Sequence, residues 1–485
     1  MPLATRYQRL TPALLATLAL ACPAQTQTRD QTLDQTGDQT REPNARDERR
    51  SDAPLMIDLL GKPVQLGSSW QYTDERRDNF DLNRSNARDR SVREHEVKLE
   101  ARALIDERTQ VFAQIVGLHE TRRTQGDGRE LRRSLKRGPM WWQRERMFGT
   151  PWSLQVGRVV LVDRRAWWWD EDLDALRLRY AGSGWRLDTG LARELARKSS
   201  ADRSGIASAQ RGVTRWFGQA TWPWAQRHAI DGFWLAQNDA SSQPAAGAVF
   251  ASKDRTDPSD LNARWAGLRA SGEWRFESPS GSGPRLAYWA DTAWLSGRER
   301  LTPFAGQDNG SLRAGTTQSR MVSGNAFDIG ATGTLALPLR PSLTVAYARG
   351  SSGFRQTGLQ ENKSRLGGVR RWQRYGELLQ PELANLSVAT IGAGVRVASN
   401  TSIELAAHRY RQVRAAEEVR DARLPTDPQG TNPAIGRELN LLVAVRESKN
   451  VEFLFKASHF KPGAAFAPER RDAARAVEIS VSVNF

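Results

Sequence analysis

The sequence predicts an all-β protein, a single 18-stranded antiparallel transmembrane β-barrel of the outer membrane. Three observations lead to this fold class. The chain begins with an apolar stretch behind basic residues, most of it then alternates between apolar and polar side chains, and it ends on an aromatic residue, Phe485. With 26% charged and only 39% hydrophobic residues among 485, the composition excludes a helical protein that spans the membrane many times.

The N-terminal segment resembles a secretory signal peptide. Two arginines precede the apolar run 13–21, which is shorter than the roughly 20 residues that a spanning helix needs. We predict a signal peptide over residues 1–24, with cleavage after Ala21 or Ala24. The alternative is that Cys22 is a lipidated first residue of the mature chain.

A disordered polar periplasmic leader is expected over residues 25–63. Asp-Gln-Thr occurs three times between residues 30 and 40, and a segment of this composition cannot bury a core. The barrel should therefore occupy residues 64–485.

The small number of cysteines and histidines argues against metal and cofactor chemistry. One cysteine and five scattered histidines offer neither a disulfide framework nor an obvious zinc site. We expect no cofactor. We also expect no enzyme activity, because no carboxylate pair and no His or Tyr base stands out among the many acidic residues.

Period-two alternation is clearest in the last segment. Val477, Ile479 and Val481 alternate with polar residues, and around residue 98 the apolar positions Val97 and Leu99 alternate with charged ones. A charged face of this kind needs water. A soluble β-sandwich would share the alternation, but it would not explain the signal peptide, the 17 tryptophans and the aromatic end together.

Eighteen segments follow this pattern, and the connections between them are alternately short and long. Short connections are expected to be periplasmic turns and long ones outer loops, such as 122–138 and 351–385. The predicted strands are 65–76, 95–105, 110–121, 139–148, 153–161, 173–181, 185–196, 212–221, 227–238, 262–275, 284–297, 326–337, 342–350, 386–398, 401–412, 436–447, 451–460 and 474–485.

Many of the residues that parity places in the lumen are charged. Rings of Arg and Lys in a confined pore select anions, and interleaved carboxylates prevent a polyanion from binding too tightly. The alternative is that any pore wall needs charged, solvated residues. The inward basic candidates are Lys98, Arg102, Arg177, Arg179, Arg186, Arg215, Arg269, Arg446 and Lys456, interleaved with Glu96, Glu100, Asp188, Glu273, Glu438 and Glu478.

The loop 351–385 carries the densest basic cluster. Lys363, Arg365, Arg370, Arg371 and Arg374 fall within a short stretch that contains no acidic residue. Two interpretations stay open. The loop folds into the bore as a constriction, or it is a solvated outer face that binds the phosphates of lipopolysaccharide.

Several segments resemble the alginate export family of outer-membrane proteins. They occur in the same order as in that family from about residue 138 to the C-terminus. They are Gln356-Thr-Gly-Leu-Gln-Glu-Asn-Lys-Ser-Arg365 with Arg374-Tyr-Gly-Glu377 and Pro381-Glu-Leu-Ala-Asn-Leu386, then Val156-Gly-Arg158 with Trp167-Trp-Trp-Asp170 and Leu173-Asp-Ala-Leu176, and Phe460-Lys-Pro-Gly463 before Phe466.

The resemblance implies an 18-stranded channel that exports a uronic-acid polymer from the periplasm through an arginine-lined constriction. It puts Lys363 where the family has a constriction arginine, Asp170 where it has a lumenal aspartate, and Arg158 in the matching Gly-Arg pair. Three other family arginines are replaced here, by Val160, Leu454 and Trp372. The turn 447–450 is also too short to form the periplasmic plug of similar proteins. A different acidic polysaccharide, or a less gated pore, is therefore expected.

These observations predict an outer-membrane channel for an acidic, alginate-like polysaccharide. The alternative is a passive anion-selective porin for small acidic solutes or oligosaccharides. Expected partners are the anionic polysaccharide, outer-membrane lipid with its lipopolysaccharide, periplasmic export proteins, and the insertion machinery that reads Phe485. Nucleic acid is not expected, because basic residues that alternate with Glu form a poor phosphate track.

Overall fold

Eighteen antiparallel strands close into one barrel in the computed structural model, which describes residues 54–485 apart from 203–204, 242, 252–258, 278–282 and 308–310. The predicted signal peptide and most of the predicted leader lie outside these residues. Hydrogen bonding between the first and last strands closes the barrel. The strands are β1 Lys62–Asp78, β2 Arg90–Asp106, β3 Thr109–Thr124, β4 Gly128–Arg144, β5 Trp152–Val162, β6 Asp170–Ala181, β7 Arg186–Arg193, β8 Val213–Ala225, β9 His228–Asp239, β10 Ser259–Arg275, β11 Arg285–Leu301, β12 Gln318–Thr334, β13 Ser342–Gly350, β14 Leu386–Ala398, β15 Thr401–Gln412, β16 Ala434–Val445, β17 Val451–Pro462 and β18 Ala474–Asn484.

Each predicted strand corresponds to one observed strand, so the predicted fold class is confirmed. The predicted long loop 122–138 is wrong, because β3 runs on to Thr124 and β4 already begins at Gly128. Basic residues on both faces of β4 conceal its period-two pattern. Leu131 and Leu135 still mark the outward face, with 49% and 61% of their surface exposed.

Part of the predicted disordered leader is ordered. Leu55–Leu59 forms a short strand that pairs with the start of β1 through a turn at Leu60 and Gly61, both of which have positive φ. Four of the five residues in this strand are apolar. The polar composition of the leader therefore ends before Pro54, and the following apolar residues extend the sheet.

The two faces of the wall follow the predicted alternation. On β2, Val97 and Leu99 are exposed on the outside, whereas Lys98 and Glu100 point to the lumen and are less exposed. The large buried apolar cluster lies inside the barrel, where inward residues such as Phe217 and Phe233 contact inserted segments of chain. No helix in the described part of the chain is long and apolar enough to cross a membrane.

The two ends of the barrel differ in their connections. At one end, here the short-turn end, the turns include 107–108, 226–227 and 399–400. At the other, the long-loop end, the connections include 194–212, 351–385 and 413–433. The C-terminal Phe485 lies at the short-turn end, beside Ser68 of β1.

Candidate functional site in the lumen

The inner loop, residues 351–385 between β13 and β14, fills part of the bore. Its apolar side chains are buried, although both ends of the loop start at the long-loop end of the barrel. This position agrees with the first of the two sequence-based interpretations and not with a solvated outer face. The buried apolar residues of the loop are Phe354, Leu359, Leu366, Val369, Trp372, Tyr375, Leu378, Leu379 and Leu383.

The tip of the inner loop reaches the short-turn end. The Val369 amide donates a hydrogen bond to Ser402 Oγ at 3.1 Å, and Arg446 Nη1 donates to the Val369 carbonyl at 2.9 Å. Trp372 Nε1 donates to Glu404 Oε1 at 2.9 Å. Ser402 and Glu404 lie within four residues of the start of β15. The loop therefore spans nearly the whole length of the bore on the side of β13 to β17.

A second inserted segment, the inner hairpin 163–169 between β5 and β6, packs against the inner loop. Trp167 Nε1 donates to Tyr375 Oη at 2.8 Å, and the Asp170 amide donates to the Leu359 carbonyl at 2.6 Å. Trp168 stacks on Phe233 with ring centroids 5.0 Å apart. The tryptophan triplet that the sequence analysis noted is thus an apolar anchor inside the barrel.

The hairpin reaches the lumen because β5 leaves the wall near Gly157. β4 pairs with β5 only from Met140 to Arg144. Further along β4, the amide of Arg137 donates a hydrogen bond to the Lys198 carbonyl at 2.9 Å and not to β5. Gly157 has φ +126°, and a Cβ atom there would lie 2.3 Å from the Met140 carbonyl oxygen. Glycine at this position permits the departure from the wall.

An ion-pair network, the central network, links the two inserted segments to the wall. Asp163 accepts from Arg269 Nη1 at 2.7 Å, and Arg374 Nη1 donates to Asp328 at 2.5 Å. Three arginines and three aspartates alternate in it, so its formal charge is zero. The chain of contacts runs Asp163, Arg269, Asp291, Arg165, Asp328, Arg374.

Asp163 lies in the inner hairpin and is ionised in this setting. Burial alone would raise the pKa of its carboxyl group. The charge of Arg269 and the backbone N–H groups of Arg165 and Trp168 outweigh that effect, and the pKa is lowered. The carboxylate therefore fixes the turn before the tryptophans.

Most of the predicted lumenal cations are paired. Arg370 lies 3.1 Å from Glu452 and Arg371 3.8 Å from Asp170, while Arg374 belongs to the central network. The other pairs on the wall, all shorter than 3.7 Å, are Arg158 with Asp174 and Glu194, Arg177 with Asp188, Arg179 with Gln143, Lys98 with Glu96, and Lys456 with Glu377 and Glu478.

The structure gathers some of these residues and separates others. Asp170, Arg371 and Arg374 come together where the inner hairpin meets the inner loop. Arg158 is instead buried where β5 leaves the wall, and Lys98 lies on the wall strand β2. Hence the predicted set does not form one cluster.

Arg164 was missed by the sequence analysis. It lies in the inner hairpin and its side chain is exposed to the space of the bore. The surrounding protein still removes part of its hydration and so lowers its pKa, an effect that the charge of Asp231 opposes. Its position three residues before the tryptophan triplet was the available signal.

The exposed charged residues on the two inserted segments are mostly basic. Arg164 and Arg365 are exposed, and Lys363 is 39% exposed beside Glu361 at 3.0 Å. Because the central network is neutral and buried, these side chains set the local charge.

Comparison with known proteins identifies relatives over most of the barrel. The family model described as alginate export matches residues 62–479. The alginate production protein AlgE of Pseudomonas aeruginosa is 27% identical over 373 residues, which cover 71% of this chain and 74% of that protein. AlgE of Pseudomonas syringae pv. tomato is 28% identical over 266 residues, or 54% of this chain and 51% of that protein.

Solved structures support the barrel fold. Pseudomonas aeruginosa OccK7 (OpdD) superposes with a TM-score of 0.50 at 10% identity, covering 88% of this chain and 99% of that one. A variant of OccD1 (OprD) gives the same TM-score and identity over 90% and 98% of the two chains.

Proposed function

Because this chain belongs to the alginate export family, we propose that it is a channel through which an acidic polysaccharide of uronic-acid residues leaves the cell. The protein is an integral β-barrel of the outer membrane. Its short-turn end accordingly faces the periplasm, and its long-loop end faces the exterior. The polymer would enter beside the tip of the inner loop.

The observation that carries this proposal is the charge on the two segments that narrow the bore. Arg164, Lys363 and Arg365 are at least partly exposed there, against the single carboxylate of Glu361. A cationic surface in a confined, low-dielectric passage raises the local concentration of a polyanion. It also compensates the polymer for hydration lost in the narrow part.

The cations that hold the inner loop to the wall have a different part in the proposal. Arg370 and Arg371 are held by Glu452 and Asp170, so they fix the inner loop to the wall. Their side chains are only 25% and 11% exposed and each is balanced by a carboxylate, so they give a polyanion little net attraction. This leaves the passage lined by weak sites, which suits release of a long polymer.

The positions at which this chain lacks a family arginine carry uncharged residues. Val160 and Trp372 are buried, and Trp372 binds Glu404. The attraction for a polyanion is therefore expected to depend on fewer cations than the family pattern has. Guluronate and mannuronate polymers and other polyuronates are the substrate class that we propose.

The experiment compares two sets of three neutralised cations in planar lipid bilayers. The test variant carries Arg164→Gln, Lys363→Gln and Arg365→Gln. The control carries Arg264→Gln, Arg298→Gln and Arg349→Gln, three exposed residues on the strands β10, β11 and β13. Both variants lose the same charge.

We expect the unmodified channel to favour chloride over potassium and to be blocked by oligouronates. The test variant should lose a large part of both properties, and the control should keep them. Cation selectivity of the unmodified channel, or equal oligouronate blockage of the test variant, would refute the proposal. Block by short acidic sugars but not by longer chains would favour a porin for small solutes.

A further inference from the structure

A row of three basic residues crosses the outer face of the barrel near its extracellular end. Arg409 of β15 lies directly opposite Arg437 of β16, which lies opposite Lys461 of β17. All three side chains are exposed. Directly opposed residues in an antiparallel pair have Cβ atoms roughly 5 Å apart. We name these three residues the basic row.

The basic row borders the apolar band that faces the membrane. Leu439 lies two residues from Arg437 on β16, and Leu405 lies four residues from Arg409 on β15, with 46% and 47% of their surfaces exposed. At a rise of roughly 3.4 Å per residue, the row lies about 7 Å beyond Leu439 along the strand. That is the height at which hydrocarbon gives way to polar head groups.

The charge of the basic row is not balanced by the protein. In the described part of the chain, none of its three side chains forms an ion pair or a side-chain hydrogen bond. Two further exposed arginines lie nearby. Arg411 is two residues beyond Arg409 on β15, and Arg475 of β18 lies opposite His459, which is two residues from Lys461 on the membrane side. Like charges directly opposite one another destabilise a sheet. An anion from outside would remove this cost.

From this arrangement we propose that the basic row binds phosphate groups of lipopolysaccharide in the outer leaflet. The outer-leaflet glycolipid is the source of fixed anions at this height, and its acyl chains would contact the apolar band below. Guanidinium groups hold phosphate oxygens through paired hydrogen bonds, and the ammonium group of Lys461 adds a point charge. The row faces away from the lumen, so this site is independent of transport.

The test uses the full-length barrel, purified in detergent and titrated with lipid A. The variant carries Arg409→Gln, Arg437→Gln and Lys461→Gln. The control again carries Arg264→Gln, Arg298→Gln and Arg349→Gln, whose directly opposed residues are uncharged. Lipid A without phosphates serves as the second probe, and a heat-modifiable band on electrophoresis verifies folding of each protein.

Lipid A should bind the control as tightly as it binds the unmodified barrel. It should bind the variant at least about tenfold more weakly, because each basic group near an anionic lipid surface contributes to the binding free energy. Dephosphorylated lipid A should not distinguish the three proteins. Equal affinity of variant and control for lipid A, or equal binding of the two lipids by the unmodified barrel, would overturn the proposal.

A charge reversal gives a second readout that does not depend on the triple variant. Arg437→Glu would place a carboxylate between Arg409 and Lys461, which replaces like-charge contacts with ion pairs and lowers the charge of the row from +3 to +1. In lipid-free detergent this variant should unfold at a higher temperature than the unmodified barrel, and its affinity for lipid A should fall. A variant with unchanged affinity would contradict the assignment.

Discussion

Asp328 accepts hydrogen bonds from Trp289 Nε1 at 2.6 Å, Arg374 Nη1 at 2.5 Å and Tyr375 Oη at 2.8 Å, all inside the barrel. A buried carboxylate is stable only when such partners replace its water. Two of the three donors belong to the inner loop. At the scale of single residues, the loop is therefore fixed in place by charges that are compensated within the protein.

Glu382, near the end of the inner loop, is protonated more readily than an ordinary glutamate. Burial raises the pKa of its carboxyl group to about 7 from 4.5, although Arg420 lies 3.0 Å away and opposes the shift. In the unfolded chain the group loses its proton near pH 4.5, so between these values the folded protein binds more protons. Stability contributed by this group should thus fall as the pH rises from about 4.5 to about 8.

Replacing Glu382 with Gln should remove that part of the pH dependence. The measurement is the thermal unfolding midpoint of the detergent-solubilised barrel at pH 5 and pH 8. We expect the unmodified protein to lose more stability between the two than the Glu382→Gln variant does. Parallel pH dependence in both proteins would show that Glu382 keeps an ordinary pKa.

The hairpin of β5 and β6 shows how one element leaves the wall without opening the barrel. Gly157 lets the chain turn inward, and residues 198–200 take over hydrogen bonds to β4, where the Ser200 amide donates to the Leu135 carbonyl at 2.8 Å. The exchange brings the tryptophans of the inner hairpin into the lumen while the sheet stays continuous.

A side chain at position 157 should therefore impair assembly. In Gly157→Val, the new Cβ atom would meet the Met140 carbonyl in a backbone conformation that disfavours side chains. Gly333→Val is the matched control, because Gly333 lies within β12, has no positive φ and has no atom within 4 Å of an added Cβ. The heat-modifiable fraction in outer membranes should drop for the first variant only. Equal fractions would mean that the inner hairpin tolerates a branched residue at its base.

At the scale of the whole molecule, closure depends on the pairing of β1 with β18. The Phe485 amide donates to the Ser68 carbonyl at 2.8 Å, and its side chain is 60% exposed on the outer face. The final residue thus combines a hydrogen bond at the seam with an aromatic group available to the insertion machinery, which is the partner that we propose for it.

Deletion of Phe485 should reduce the folded, heat-modifiable form in outer membranes. Phe453→Ala is the control, since it removes another exposed aromatic side chain from the same end of the barrel while the seam is kept. Normal folding of the truncated protein would exclude a role of Phe485 in insertion.

The number of strands, their order and the two faces of the wall were determined by the sequence alone. Alternation along each strand is a local property of the extended backbone. Val97 and Lys98 therefore face opposite sides of the sheet independently of the strands that pair with β2. The failure at 122–138 has a local reason as well, because charges on both faces of β4 hide the alternation.

Only the tertiary structure decided whether the inner loop lies inside the bore or on the outer surface. Its basic residues fitted an outer surface as well as a constriction, and the choice depends on contacts such as Tyr375 with Trp167, which are 208 residues apart. The same holds for Lys456, whose charge is balanced by Glu377 of the loop and Glu478 of β18. A sequence shows which side chains carry charge, but the net field in the bore depends on which of them meet, and folding alone brings those partners together.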